Sequence, residues 1–224
     1  PSAERSYIDS TDAGWNSMVR NNPFVLRWMH DVARRAGQEG KRLLTFSHYP
    51  MIAPTAGTTE DEVRLFGETS FVRRLPSAAT TAAALATGIK VHVSGHLHLN
   101  DTALSRQDDG FLVNISVPSL VAFPPAYKVV THEGGRLVVQ SVPVVTVPDF
   151  DAAFDLYRTE ARLTRASCGV ALDARSHADF LNRHLAHLVA HRHLPREWPE
   201  ELIRLAPTLG LADLWRLGAP DRSA

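Results

Sequence analysis

The chain has 224 residues, with 24 Lys+Arg set against 24 Asp+Glu and 44% hydrophobic residues. Zero formal charge removes the surplus of cations with which a general nucleic-acid binder displaces phosphate counterions. The apolar content is ample for a core and excludes a disordered chain, while no apolar run approaches the roughly 18–20 residues of a bilayer span. The single cysteine, Cys168, cannot form an internal disulfide; it leaves the compartment open between a reduced cytosol and a secreted protein without bridges, the balance leaning to the cytoplasm. Only Lys41, Lys90 and Lys128 among the basic residues are lysine, a bias spread over the whole chain that reflects base composition before it reflects phosphate binding.

Ser6 to Asp12 reads as a strand end running into the turn Asp12-Ala13-Gly14. Asn22-Pro23 supplies an N-cap and a first-turn proline, and Val25, Met29, Val32, Ala33 and Ala36 recur at helical spacing, predicting an amphipathic helix that Gly37 stops. The run Leu43-Leu44-Thr45-Phe46 has no alternation and is too short for a helix. It predicts a strand buried on both faces and ended by Ser47-His48-Tyr49-Pro50. A loop from Ala53 to Thr59, a charged helix from Glu60 to Leu75 and a small-residue helix from Ala78 to Thr87, closed by Gly88, come next. They lead to a second strand, Ile89 to Val93, which ends in Ser94-Gly95-His96-Leu97-His98.

Strands then follow one another: Thr102 to Arg106, Phe111 to Val117, Tyr127 to His132 and Arg136 to Val147, the last two joined by Glu133-Gly134-Gly135. From Pro148 the composition turns helical, with helices expected at Phe150 to Arg165, Ser176 to His193, Glu200 to Leu205 and Leu211 to Leu217. The boundary falls near residue 148, dividing a sheet-bearing body, 1–148, from a helical tail, 149–224.

Three histidines stand at the carboxyl ends of the two core strands: His48 after the first, His96 and His98 after the second. Ligands of open α/β sheets bind at this edge, where the loops converge. In an extended turn, residues two apart project to one side, so both imidazoles of the His-x-His pair can face one point, with Gly95 allowing close backbone approach. A neutral imidazole nitrogen is the commonest protein ligand for a transition metal. An isolated His-x-His pair reads as polar residues bonded to backbone; the second, independent loop carrying His48 is what points to a metal half-site. No Gly-x-Ser-x-Gly element and no glycine-rich phosphate loop competes with that reading.

Ser47-His48-Tyr49-Pro50 followed by Gly95-His96-Leu97-His98 resembles the last two metal-binding motifs of the calcineurin-like metallophosphoesterase superfamily. Tyr7-Ile8-Asp9-Ser10, Val117 to Leu120 and Phe123 to Tyr127 are similar to segments that flank those motifs, so the resemblance spans residues 6 to 145. It implies an α/β fold, the C-terminal part of a four-layer sandwich of two sheets flanked by helices, with the helical tail as an addition or cap. It implies that His48 and His96 bind one metal and His98 the other, in a complete site holding two divalent or trivalent ions of Mn, Fe or Zn. It implies, too, that a metal-bridging hydroxide attacks a small phosphomonoester or phosphodiester substrate.

The family's Asp-x-His, Gly-Asp-x-x-Asp and Gly-Asn-His motifs, which provide the bridging aspartate, an asparagine ligand and the acid for the leaving group, do not occur before Ser47; Asp9 and Asp12 match neither aspartate pattern. The expectation is therefore a C-terminal portion that offers metal ligands but no catalytic acid or base, binds fewer metals than a complete enzyme, and leaves apolar strand edges where the first strands belong. Two other readings stay open: a non-catalytic remnant or interaction module that keeps the fold, and hydrolysis at a mononuclear zinc held by His48, His96 and His98.

The tail concentrates His177, His184, His187, His191 and His193. At 100° per residue His177, His184 and His191 fall within about 40° of one another, beside Leu181 and Leu188. They are expected on the packing face as core or interface residues, ahead of a role overlooking a phosphate site or binding metal. Trp198 and Trp215 are expected to anchor the terminal helices, and the tail is the candidate surface for a homo-oligomer.

Overall fold

A computed structural model describes residues 14–55, 58–107, 110–165, 169–205 and 208–210. The segment Ser6 to Asp12, Cys168, and the helix expected at Leu211 to Leu217 with Trp215 lie outside the described residues.

The chain is mixed α/β, with two sheets among the described residues. Helix α1, Trp15–Asn21, runs into α2, Pro23–Gln38, whose first turn opens on Pro23, where a missing N–H costs nothing. Gly37 does not stop α2; it lies in the last turn. Termination comes from Gly40, whose φ of 65° is left-handed, with Lys41 N donating to Ala36 O at 2.8 Å and Gly40 N to Gly37 O at 3.1 Å. This paired closure satisfies carbonyls that would otherwise be orphaned at the helix end.

Strands β1 (Thr45–Ser47), β2 (Val91–Ser94), β3 (Asp101–Gln107) and β4 (Gly110–Ser116) form one sheet in the order β1-β2-β4-β3, parallel except for the antiparallel β3–β4 pair. Strands β5 (Ala126–Glu133) and β6 (Arg136–Pro143) form a separate hairpin whose two-residue turn, Gly134-Gly135, takes positive φ at both positions. Between the sheet strands lie helix α3, Thr59–Phe66, and helix α4, Ala78–Ala86, the latter capped by Ser77 Oγ accepting from Thr80 N at 3.2 Å. The single helix expected from Glu60 to Leu75 is broken: Gly67 at φ 76° ends α3, and only a 3-10 turn, Val72–Arg74, follows.

Strand β1 is not buried on both faces. Phe46 is 69% exposed, because β1 is the edge of its sheet and, among the described residues, no strand pairs with its outer side. The parallel register aligns Thr45, His92 and Asn114 in one row and Ser47, Ser94 and Ser116 in the next, all on one face by the two-residue pleat. That face is buried, with His92 1% and Asn114 0% exposed. Farther along the same side of the sheet, Leu112 and Ala103 join Met29 of α2, Ala84 of α4 and Met51, Ile52 and Ile89 in the apolar core.

The tail contributes α5 (Phe154–Thr164), α6 (His177–Leu188), a π turn (Val189–His193), α7 (Leu194–Glu197) and α8 (Glu200–Leu205). It is fastened to the body where Glu197 accepts from Ser70 Oγ at 2.7 Å and Ser70 N at 3.2 Å, and where half-buried Trp198 packs on Phe66 with ring centroids 4.4 Å apart. The histidine stripe does not pack as the helical wheel predicts: Leu181 is buried, but His184, His187 and His191 are exposed. The π turn after Leu188 alters the residue period, so His191 leaves the phase of α6; its ring meets that of His187, four residues back, at 4.4 Å. His177 lies 3.0 Å from Leu120 O, and His193 3.3 Å from Glu197. No helix among the described residues is long and apolar enough to cross a membrane.

Candidate metal centre

Strands β1 and β2 are parallel neighbours, so the loops after them emerge side by side at one sheet edge. Gly95 N donates to His48 O at 3.0 Å and stitches the two loops together. Closeness there does not depend on glycine: a Cβ at Gly95 would meet His48 O at 3.9 Å, an ordinary contact. The Gly95 to His98 segment is also not an extended turn. Leu97 N donates back to Gly95 O at 2.8 Å, and His96 and His98 both adopt left-handed backbone, with φ of 65° and 57°. A side chain in that region costs about 1–2 kcal/mol, and such residues cluster at functional sites.

His48 Nε2 lies 3.1 Å from His96 Nδ1, and the rings meet edge to face with centroids 4.9 Å apart. Tyr49 walls the pair, its ring 5.0 Å from that of His48 and 4.3 Å from that of His96. Nε2 of His96 is buried without a hydrogen-bond partner among the described residues. Burial pushes the His96 imidazole down to about 4, with the charges of His48, Arg74 and His98 acting in the same direction. His98 is lowered as well, first by burial and then by the charges of His48 and Arg74. Both rings are therefore neutral at pH 7, each with one nitrogen that bears a lone pair.

The structure thus brings His48 against His96 and leaves His98 within electrostatic reach of His48. Among the described residues, no group of three His, Cys, Asp or Glu side chains is drawn together closely enough to hold an ion as it stands. The donor chemistry nevertheless fits a metal: imidazole nitrogens suit Zn, Fe and Mn, and with the ring proton on Nδ1 the buried His96 Nε2, which has no hydrogen-bond partner among the described residues, offers its lone pair to a cation.

Sequence reading missed two residues beside this pair. Arg74, in the 3-10 turn, lies within electrostatic reach of His96 and His98; its Nε is buried without a partner, and no carboxylate forms an ion pair with it among the described residues. His92 sits within β2 beneath the first loop, with Nδ1 3.0 Å from Thr45 Oγ1 and Nε2 2.9 Å from Ser47 Oγ. Burial pushes it down to about 4, outweighing the opposing bond to Tyr49 O. Below it, Asn114 Oδ1 accepts from Met51 N at 2.9 Å and anchors the end of the same loop. A cleft of about 610 Å³ lined by Leu43, Leu44, Lys90 and Leu137 lies at the amino ends of β1 and β2, the opposite edge from the imidazoles.

Comparison of the chain with models of known protein families found no match, and comparison with curated proteins found none either.

Proposed function

We propose that this chain serves the metal-dependent hydrolysis of a phosphomonoester or phosphodiester, with His48, His96 and His98 as its metal-binding imidazoles, and that its fold is the C-terminal part of a metallophosphoesterase sandwich. The observation that carries the reading is the meeting of His48 and His96, from two separate strand tips, at 3.1 Å, with a buried His96 Nε2 that has no hydrogen-bond partner and a nearby Arg74 that has no ion pair among the described residues. A solvated pair of surface histidines would need none of these features.

A divalent ion held there supplies Lewis acidity, lowering the pKa of water and drawing charge from a phosphoryl oxygen. The chain's own residues do the rest of what can be assigned. Burial keeps the His96 ring neutral and able to donate its lone pair. Tyr49 packs on both imidazoles, restricting their rotation and shielding one side from water. Arg74 presents a planar cation, suited to two phosphoryl oxygens at once, in a place where no carboxylate of the described residues neutralises it. In this reading the carboxylate that bridges metals and the acid that protonates the leaving group come from outside the described residues.

The test is a parallel measurement of bound Mn²⁺ and of hydrolysis of a generic aryl phosphate for the parent and for His98→Ala. The reading expects both to fall together; if His98→Ala leaves both unchanged, it is wrong.

A further inference from the structure

We propose that His92 is a positioning residue for this centre: its ring braces Thr45 and Ser47 from below, and so fixes the turn that presents His48. The inference rests on the metal-binding reading of His48 and His96.

His48 is exposed, and the ring of His96 is the one side-chain hydrogen-bond partner assigned to it among the described residues. The His96 and Tyr49 rings hold it from the side, and the backbone on either side of it sets where it starts, where both flanking residues belong to one network. Trp15 Nε1 donates to Ser47 Oγ and to Tyr49 O, each at 3.1 Å, and Ser47 Oγ lies 2.7 Å from Tyr49 O. The imidazole of His92 joins this network to the next strand: Ser47 Oγ is 2.9 Å from its Nε2, while Thr45 Oγ1, which is 2.9 Å from Val91 O, is 3.0 Å from its Nδ1.

Each hydroxyl has one proton, so a neutral ring allows two arrangements. Either Nδ1–H donates to Thr45, which donates to Val91 O, and Ser47 donates to Nε2; or Thr45 donates to Nδ1, and Nε2–H donates to Ser47, which donates to Tyr49 O. Both leave the two ring nitrogens satisfied, and only the second also supplies the Nε2–H that the contact with Tyr49 O, at 3.4 Å, requires. Valine occupies both neighbouring positions of β2, and would bury here without the desolvation cost an imidazole carries. What the imidazole adds is a two-ended polar strut between β1 and β2 at the foot of the His48 turn, the kind of outer support that orients metal ligands.

Asn and Gln separate the two ends of that strut, since the Asn amide lies near the place of Nδ1 and the Gln amide near that of Nε2. The experiment is calorimetric titration of the full chain with Zn²⁺, in a background carrying His187→Ala and His191→Ala so that the exposed ring pair does not contribute. His92→Asn, which loses the Ser47 contact, is expected to weaken Zn²⁺ binding about tenfold, the low end for outer-sphere support. His92→Gln, which keeps that contact, should stay close to the parent, and His48→Ala should lose the site. If Asn and Gln weaken binding equally, or neither does, while His48→Ala loses the site, the positioning role is overturned and the metal-binding reading stands. If the parent binds no Zn²⁺, or His48→Ala binds as well as the parent, the metal-binding reading fails and takes the inference with it. Should His92→Asn not fold, Ser47→Ala removes the same contact while keeping the ring and carries the same expectation.

Discussion

The left-handed backbone at His98 allows the strain of the second loop to be measured apart from its chemistry. His98→Ala and His98→Gly both delete the imidazole, but alanine keeps a Cβ at φ 57° whereas glycine does not. Relief of the left-handed conformation favours glycine by about 1–2 kcal/mol, and the greater freedom of glycine in the unfolded chain takes back about 0.4–1 kcal/mol. The net expectation is that His98→Gly is the more stable of the two by about 1 kcal/mol, or about 2–4 °C in Tm for a chain of this size. Both variants lack the same imidazole, so loss of its contacts cancels in the comparison. Thermal melts of the two variants, metal-free, supply the number, and Zn²⁺ titration should show both equally impaired. If the alanine variant melts at or above the temperature of the glycine variant, the loop is not strained at His98 and the energetic argument for a functionally held geometry is wrong.

Arg74→Ala should raise KM for an aryl phosphate about tenfold or more with a smaller effect on kcat, as expected for loss of a charge-assisted contact to phosphate; an unchanged KM in steady-state assays would remove Arg74 from substrate binding. The buried His92 has a folded-state pKa of about 4 against an ordinary 6.5, so the unfolded chain binds more protons between those values. Its contribution to stability is complete above pH 6.5 and is lost as pH falls towards 4, a drop of up to about 3 kcal/mol. Denaturant midpoints measured across that range should fall for the parent and fall less for His92→Gln; equal slopes would contradict the assignment. Trp198→Ala removes the ring that packs on Phe66 and should accelerate hydrogen exchange in α7 and α8 while leaving α2 unchanged; unchanged exchange in the tail would show that its polar contacts, Glu197 with Ser70 and His177 with Leu120 O, fasten it without the ring.

Much of the arrangement was legible because its signals are local. Pro23 opens α2, Gly134-Gly135 closes the β5–β6 hairpin, and two apolar runs ending in histidine became neighbouring parallel strands whose tips bring His48 to His96. What escaped was set by burial rather than by pattern. Thr45 and Ser47, His92 and Ser94, and Asn114 and Ser116 alternate with apolar residues, a pattern that ordinarily marks a solvated face, yet all six line a covered one. Only the pairing of β1, β2 and β4 allows those polar groups to satisfy one another, and pairing cannot be read from one strand at a time. Arg74 was hidden for a similar reason: Gly67 ends α3 early, and the following turn carries Arg74 to the imidazoles instead of along a surface helix. In the tail, a uniform 100° wheel could not anticipate the π turn that moves His191 off the phase of α6.

The most direct test of the account is a crystal of this chain soaked in Mn²⁺ and measured at an anomalous wavelength. The account predicts an anomalous peak at coordination distance from ring nitrogens of His48 and His96, with His98 turned towards it, and its loss in His48→Ala. A peak confined to the His187–His191 pair, or no peak beside the two strand tips at saturating Mn²⁺, would contradict it.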